Sequence, residues 1–148
     1  MKDKFKLTGR VVIRINGEIV RDIKNLVVTA GHDWIASRMG GAGDAVMSHM
    51  AIGDGSTAAV IADTVLDNEI YRAALNTAGG VVLDNTITFE LTLAADVPDV
   101  TAPATTTIKE AGIFNHATVG DMLARTVFST VEKAETDTMT ISWTITVE

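Results

Sequence analysis

Thr138-Met139-Thr140-Ile141-Ser142-Trp143-Thr144-Ile145-Thr146-Val147 keeps a strict period of two. Met139, Ile141, Trp143, Ile145 and Val147 form one row; Thr138, Thr140, Ser142, Thr144 and Thr146 form the other. Successive side chains of a strand point to opposite faces, so this run predicts a strand with one apolar and one hydroxyl-bearing face. Trp143 is expected to anchor a sheet core. Upstream the pattern repeats: Ile87, Phe89, Leu91 and Leu93 alternate with Thr86, Thr88, Glu90 and Thr92. Near the start, Val11, Ile13 and Ile15 alternate with Val12 and Arg14 before Asn16-Gly17, and Glu18 to Ile23 follows. Asn-Gly between two β-rich runs predicts a hairpin, because both residues tolerate the positive φ of a type I′ turn.

The remaining segments fit around these strands. Thr29 is placed to cap a helix over Ala30 to Arg38, with Trp34, Ile35 and Met39 near one face, and Gly40 to Gly43 ends it. Ser48 to Gly53 reads as a short buried strand and Asp54 to Thr57 as a turn. Asp63-Thr64 is placed to cap a short helix over Val65 to Tyr71, with Leu66 and Ile70 four apart. Pro98 and Pro103 bracket a loop from Asp96 to Thr106. Glu110 to Phe114 starts another strand, Asn115 to Asp121 turns it, and Met122 to Val131 is the next. The sum is seven or eight strands and one or two short helices. This predicts an all-β, mainly antiparallel chain folded as a two-sheet sandwich or jelly-roll-like body.

At 148 residues the chain is expected to form a single domain, 1–148, in which residues 1–24 are a basic N-terminal arm and β-hairpin. Lys and Arg number 12 against 19 Asp and Glu, a formal net charge of −7. That balance argues against nucleic acid as a partner, since phosphate binding needs a basic surface. There is no cysteine, which excludes disulfides and thiolate chemistry. No apolar run approaches a membrane-spanning length, so no membrane partner is expected. The first residues lack the apolar stretch of a signal peptide, and the product is expected to be cytoplasmic where it is made. Residues 1–24 carry seven bases (Lys2, Lys4, Lys6, Arg10, Arg14, Arg21, Lys24) and three acids (Asp3, Glu18, Asp22), a net of +4, which leaves −11 on the rest. A basic arm on an acidic body suits docking on an acidic partner.

Signals for chemistry are weak. His32, His49 and His116 fall in no metal-ligand spacing, so no metal is expected. Gly53-Asp54-Gly55-Ser56-Thr57 lacks the lysine of a phosphate loop, and its aspartate repels an anion. No serine sits in a nucleophile elbow. Asp67 with Glu69, and Glu132 with Glu135, read as solvated charge rather than an acid/base couple. The expectation is a protein that is no enzyme and takes no cofactor.

An ordered set of motifs completes the reading. It comprises Asn25 to Thr29 leading to Trp34-Ile35-Ala36-Ser37-Arg38-Met39; Met50 to Ala59; Asp63 to Ile70 with Arg72; Ile108 to Asn115; Met122 to Phe128; and Thr138 to Val147. Over about residues 25 to 148 the chain resembles a family of small virion structural proteins of tailed bacteriophages. The resemblance implies a non-enzymatic particle component: most readily a capsid decoration (cement) protein that forms a homo-oligomer, a trimer or dimer, and bridges subunits of the major capsid protein. The alternative is a tail, neck or fibre-base component contacting tail proteins. A carbohydrate-binding β-sandwich is the third reading, weakened by only seven aromatic residues. Lys2, Lys4, Lys6, Arg10 and Arg14 are the expected partner contacts. Arg72 and Arg125, isolated cations, are expected to pair with a carboxylate such as Glu69 or Glu110, within the subunit or across an interface.

Overall fold

Asn16 and Gly17 take φ values of 51° and 85°, the left-handed pair a type I′ turn demands, and glycine meets the second at no steric cost. The turn joins β1 (Leu7–Ile15) to β2 (Glu18–Lys24). The computed structural model describes residues 5–98 and 105–148. After the hairpin come β3 (Leu26–Val27), α1 (Thr29–Met39), β4 (His49–Gly53), β5 (Glu69–Ala74), β6 (Val81–Leu83), β7 (Thr86–Leu93), β8 (Thr105–Phe114), β9 (Met122–Ala134) and β10 (Met139–Val147). They form two five-stranded sheets, β2-β1-β10-β7-β6 and β3-β9-β8-β4-β5. Every pairing is antiparallel. The chain is an all-β two-sheet sandwich with one helix.

The period-two rows set the core. Trp143 lies opposite Val11 on one side and Phe89 on the other; Ile141 lies opposite Ile13 and Leu91. All six are buried, and they pack against Met50, Ile52, Ile108 and Ile113 of the second sheet. Burying each such side chain contributes roughly 1.5–3 kcal/mol of transfer free energy. The opposite row, Thr140 to Thr146, faces outward beside the threonines of β7, where Thr88 and Thr144 hydroxyls lie 3.0 Å apart. Helix α1 turns Trp34 and Ile35 toward the core. With Leu7, Phe89, Leu123 and Ile145 they line a small apolar cavity of about 120 Å³.

Several expectations are corrected. Among the described residues ten strands form rather than seven or eight, because Leu26–Val27, Glu69–Ala74 and Val81–Leu83 also pair. β8 begins at Thr105, ahead of Glu110, and β9 continues to Ala134. Helix α1 is not capped by Thr29: Val28 is the N-cap, and the Thr29 N–H donates to the Ile61 carbonyl at 2.8 Å. Met39 is exposed rather than on the buried face. No helix forms over Val65 to Tyr71, where a turn-rich segment runs into β5. Pro103, one end of the expected loop, lies outside the described residues.

Candidate functional site

A bulge between Ile108 and Glu110 reverses the alternation in β8. Ile108 stays in the main core, whereas Glu110, Gly112 and Phe114 turn to the far face of the second sheet. There the irregular segment 54–68 crosses the sheet and seats Leu66 against Ala51, Phe114 and Met122. The seat is tight: a Cβ on Gly112 would stand 3.0 Å from Leu66 Cδ2. Glu110 is fully buried. Its carboxylate accepts from the N–H groups of Gly55 (3.2 Å), Asp67 (3.0 Å) and Asn68 (2.7 Å), and from Arg125 Nε (3.0 Å) and Nη2 (2.8 Å). Arg125 also donates to Asp63 Oδ2 at 2.7 Å and to the Thr57 carbonyl at 3.0 Å. Burial opposes the guanidinium charge, but the hydrogen bonds to Asp63 and Glu110 outweigh it and hold the pKa above its ordinary value. The network is saturated: one carboxylate and one guanidinium satisfy three loop N–H groups, one loop carbonyl and one loop acid. Buried pairs of this kind fix geometry more than they add net stability.

Arg72 makes a second, smaller clamp. Its Nε and Nη2 donate to the two Glu69 oxygens at 2.9 and 2.6 Å. Its Nη1 donates to the carbonyls of His116 and Val119, 3.1 and 3.0 Å away, which fixes the β8–β9 turn. The guanidinium lies 3.7 Å from the Phe114 ring centroid. Both arginines thus pair within the subunit, Arg72 with Glu69 and Arg125 with Glu110.

Of the hairpin's described basic residues, Arg10 lies opposite Lys24, and Asp22 feels the charges of both Arg10 and Arg14. Lys2 and Lys4 lie outside the described residues. Lys6 pairs with Glu148 at 3.2 Å, next to the Leu7–Val147 pairing of β1 and β10. Arg10 makes a bidentate pair with Asp22 at 2.9 and 2.6 Å. That pair sits in a concavity of about 590 Å³, which Thr8, Lys24, Thr144 and Thr146 also line. Arg14 stands across from Thr140 and Ile19. The histidines are dispersed: His32 is on α1, His49 on β4 with Ser48 Oγ 2.8 Å from Nδ1, and His116 in a turn beside Thr118. Burial first, then the nearby Arg72 and His116, lower the His49 pKa from its ordinary value. Among the described residues no three His, Asp or Glu side chains gather as a metal set would. Trp143 is fully buried, and the half-buried Trp34 lines the apolar cavity and donates to the Ala45 carbonyl at 2.8 Å.

Three participants were not legible as such. Asp63, which the spacing marks as a helix cap, instead accepts from Val60 N–H and Arg125. Thr57 contributes its carbonyl to Arg125 and its hydroxyl to Asp67. Asn76, past the end of β5, donates to Glu90 and Thr92 side chains and accepts from Thr92 N–H at 3.1 Å, occupying the edge of β7 beyond β6. No family model, curated protein or solved structure matches the chain.

Proposed function

We propose that this protein is a structural component of a tailed-bacteriophage virion, a capsid decoration protein that works by contact with its neighbours. The observation that carries the reading is where its motifs go. The segments that resemble such proteins (Met50–Ala59, Asp63–Arg72, Ile108–Asn115 and Met122–Phe128) are the ones joined by Glu110, Arg125 and Arg72. Their polar groups are spent on holding loops against a sheet. A motif set of that kind preserves shape, which is what a building block needs and what a reaction centre does not by itself supply. The hydroxyl-rich outer row of the first sheet adds a broad face suited to lateral contact.

The test is location and stoichiometry on purified particles that carry the chain. Gel densitometry is expected to give on the order of hundreds of copies per particle, with label on the head, as a repeating shell requires. Roughly three to a dozen copies at one vertex would place it in the tail instead. Absence from the particle would overturn the reading.

A further inference from the structure

Asn16 is the only one of six asparagines that is followed by glycine. Both residues sit at positive φ, 51° and 85°, in the turn between β1 and β2. A Cβ on Gly17 would meet nothing within 4 Å, so that side of the turn is open. The Asn16 side chain, by contrast, is held through both of its polar atoms by a second turn. Its Nδ2 donates to Asp137 Oδ1 at 2.8 Å, and its Oδ1 accepts from the Thr138 N–H at 3.0 Å. Its main-chain N–H donates to the Thr138 carbonyl at 2.8 Å. Asp137 is itself seated, because its Oδ2 accepts from the Ala134 N–H at 3.0 Å. One amide thus clasps the β1–β2 turn to the residues between β9 and β10. The bond from Asn16 is the foremost reason that the Asp137 pKa lies below its ordinary value.

We propose that Asn16 is a site of self-deamidation, with water as the sole co-reactant, which the clasp to Asp137 and Thr138 holds in check. The Gly17 nitrogen attacks Asn16 Cγ and a C–N bond forms. The Cγ–Nδ2 bond breaks, and Nδ2 leaves as ammonia with the proton from the Gly17 nitrogen. Water then opens the cyclic imide at either carbonyl, leaving aspartate or isoaspartate. Nothing is oxidised or reduced: asparagine and water become an acid and ammonia. A side chain at position 17 would shield the attacking nitrogen, and glycine has none. The attack needs Cγ to swing toward that nitrogen, so the clasp must open first. The product cannot close it again. Aspartate at position 16 has no N–H to donate and sets its carboxylate against that of Asp137, and like charges so placed disfavour each other. Isoaspartate adds a methylene to the main chain of a turn whose length fixes the register of β1 and β2. The site is a one-way release for the tip of the hairpin, and it stands independently of the particle reading.

The test follows the tryptic peptide Ile15–Arg21 by mass spectrometry while the whole chain is held near neutral pH, folded or in guanidinium chloride. Deamidation is expected to be roughly tenfold or more slower in the folded chain, because hydrogen bonds must open before the attack. Asp137→Ala is expected to raise the folded rate roughly tenfold, with the rate in denaturant and the circular-dichroism spectrum unchanged. Asn16→Asp, a direct copy of one product, is expected to melt below the parent chain. Adding Asp137→Asn to it is expected to restore the melting temperature, since the bond then runs in the reverse direction. Equal rates in the folded and unfolded chain, no deamidation of Asn16 in denaturant, or a folded rate indifferent to Asp137→Ala overturns the proposal. So does an Asn16→Asp chain as stable as its parent.

Discussion

Arg125 and Arg10 show how differently two bidentate arginine–carboxylate pairs count. Arg10 and Asp22 are exposed on the hairpin, where solvent screens them. Arg125 and Glu110 are buried, and Glu110 holds three main-chain N–H groups besides. Removing the guanidinium leaves a buried carboxylate without its countercharge. Arg125→Met is therefore expected to cost about 3–5 kcal/mol in urea unfolding, whereas Arg10→Ala should leave the midpoint unmoved. Equal effects would mean that Arg125 is reached by water. The pairing of Arg125 with Glu110 could be read from the isolation of that arginine in an uncharged stretch. That Asp63 joins them could not, because it approaches from a segment whose path depends on the pair itself.

At the scale of elements, segment 54–68 is the instructive one. Its local signals, Asp63-Thr64 followed by Leu66 and Ile70, favour a helical turn. A carboxylate more than forty residues away wins instead, since Glu110 takes the N–H groups of Asp67 and Asn68 for itself. Sequence periodicity does not register such a partner. The Asn16-Gly17 hairpin and the Thr/apolar rows were legible because their cause is local: a turn that needs positive φ, and a pleat that repeats every two residues. β6 was not legible as a strand of its own, because a period of two read from residue 81 onward runs through the turn at Asp84 that separates it from β7. Since segment 54–68 hangs on Glu110, Glu110→Gln, which weakens the hold on Arg125 while keeping the shape, should raise amide exchange in residues 55–68 at least tenfold. The β1–β10–β7 ladder should keep its protection. Exchange that rises uniformly across both sheets would show that the segment is not a separate unit.

For the whole molecule, the shifted groups combine into one pH profile. His49 has its pKa lowered, by burial first and then by Arg72 and His116. Just below its ordinary value of 6.5 the unfolded chain binds a proton that the folded chain refuses, so stability falls as pH drops through that window. Three exposed carboxylates act next. Asp22 is lowered by its hydrogen bond from Arg10, Asp137 by bonds from Asn16 and the Ala134 N–H, and Glu148 by bonds from Lys6 and Thr8. Their contributions are intact above the ordinary carboxylate range near 4 and are lost as pH falls through the lowered folded values. At the alkaline end, burial lowers the Lys133 pKa against the pull of Asp137 and Asp96. The folded chain gives up that proton first, and stability rises as pH climbs toward 10.5. The melting temperature is thus expected to drop in two stages on acidification, one between about pH 7 and 5 and one below about pH 4. His49→Gln should flatten the first stage alone, and Asp137→Asn should shrink the second. A melting temperature that rises between about pH 7 and 5 would mean that His49 gains a partner for its charge on folding, contrary to its half-buried place between Ser48 and the Arg72 guanidinium.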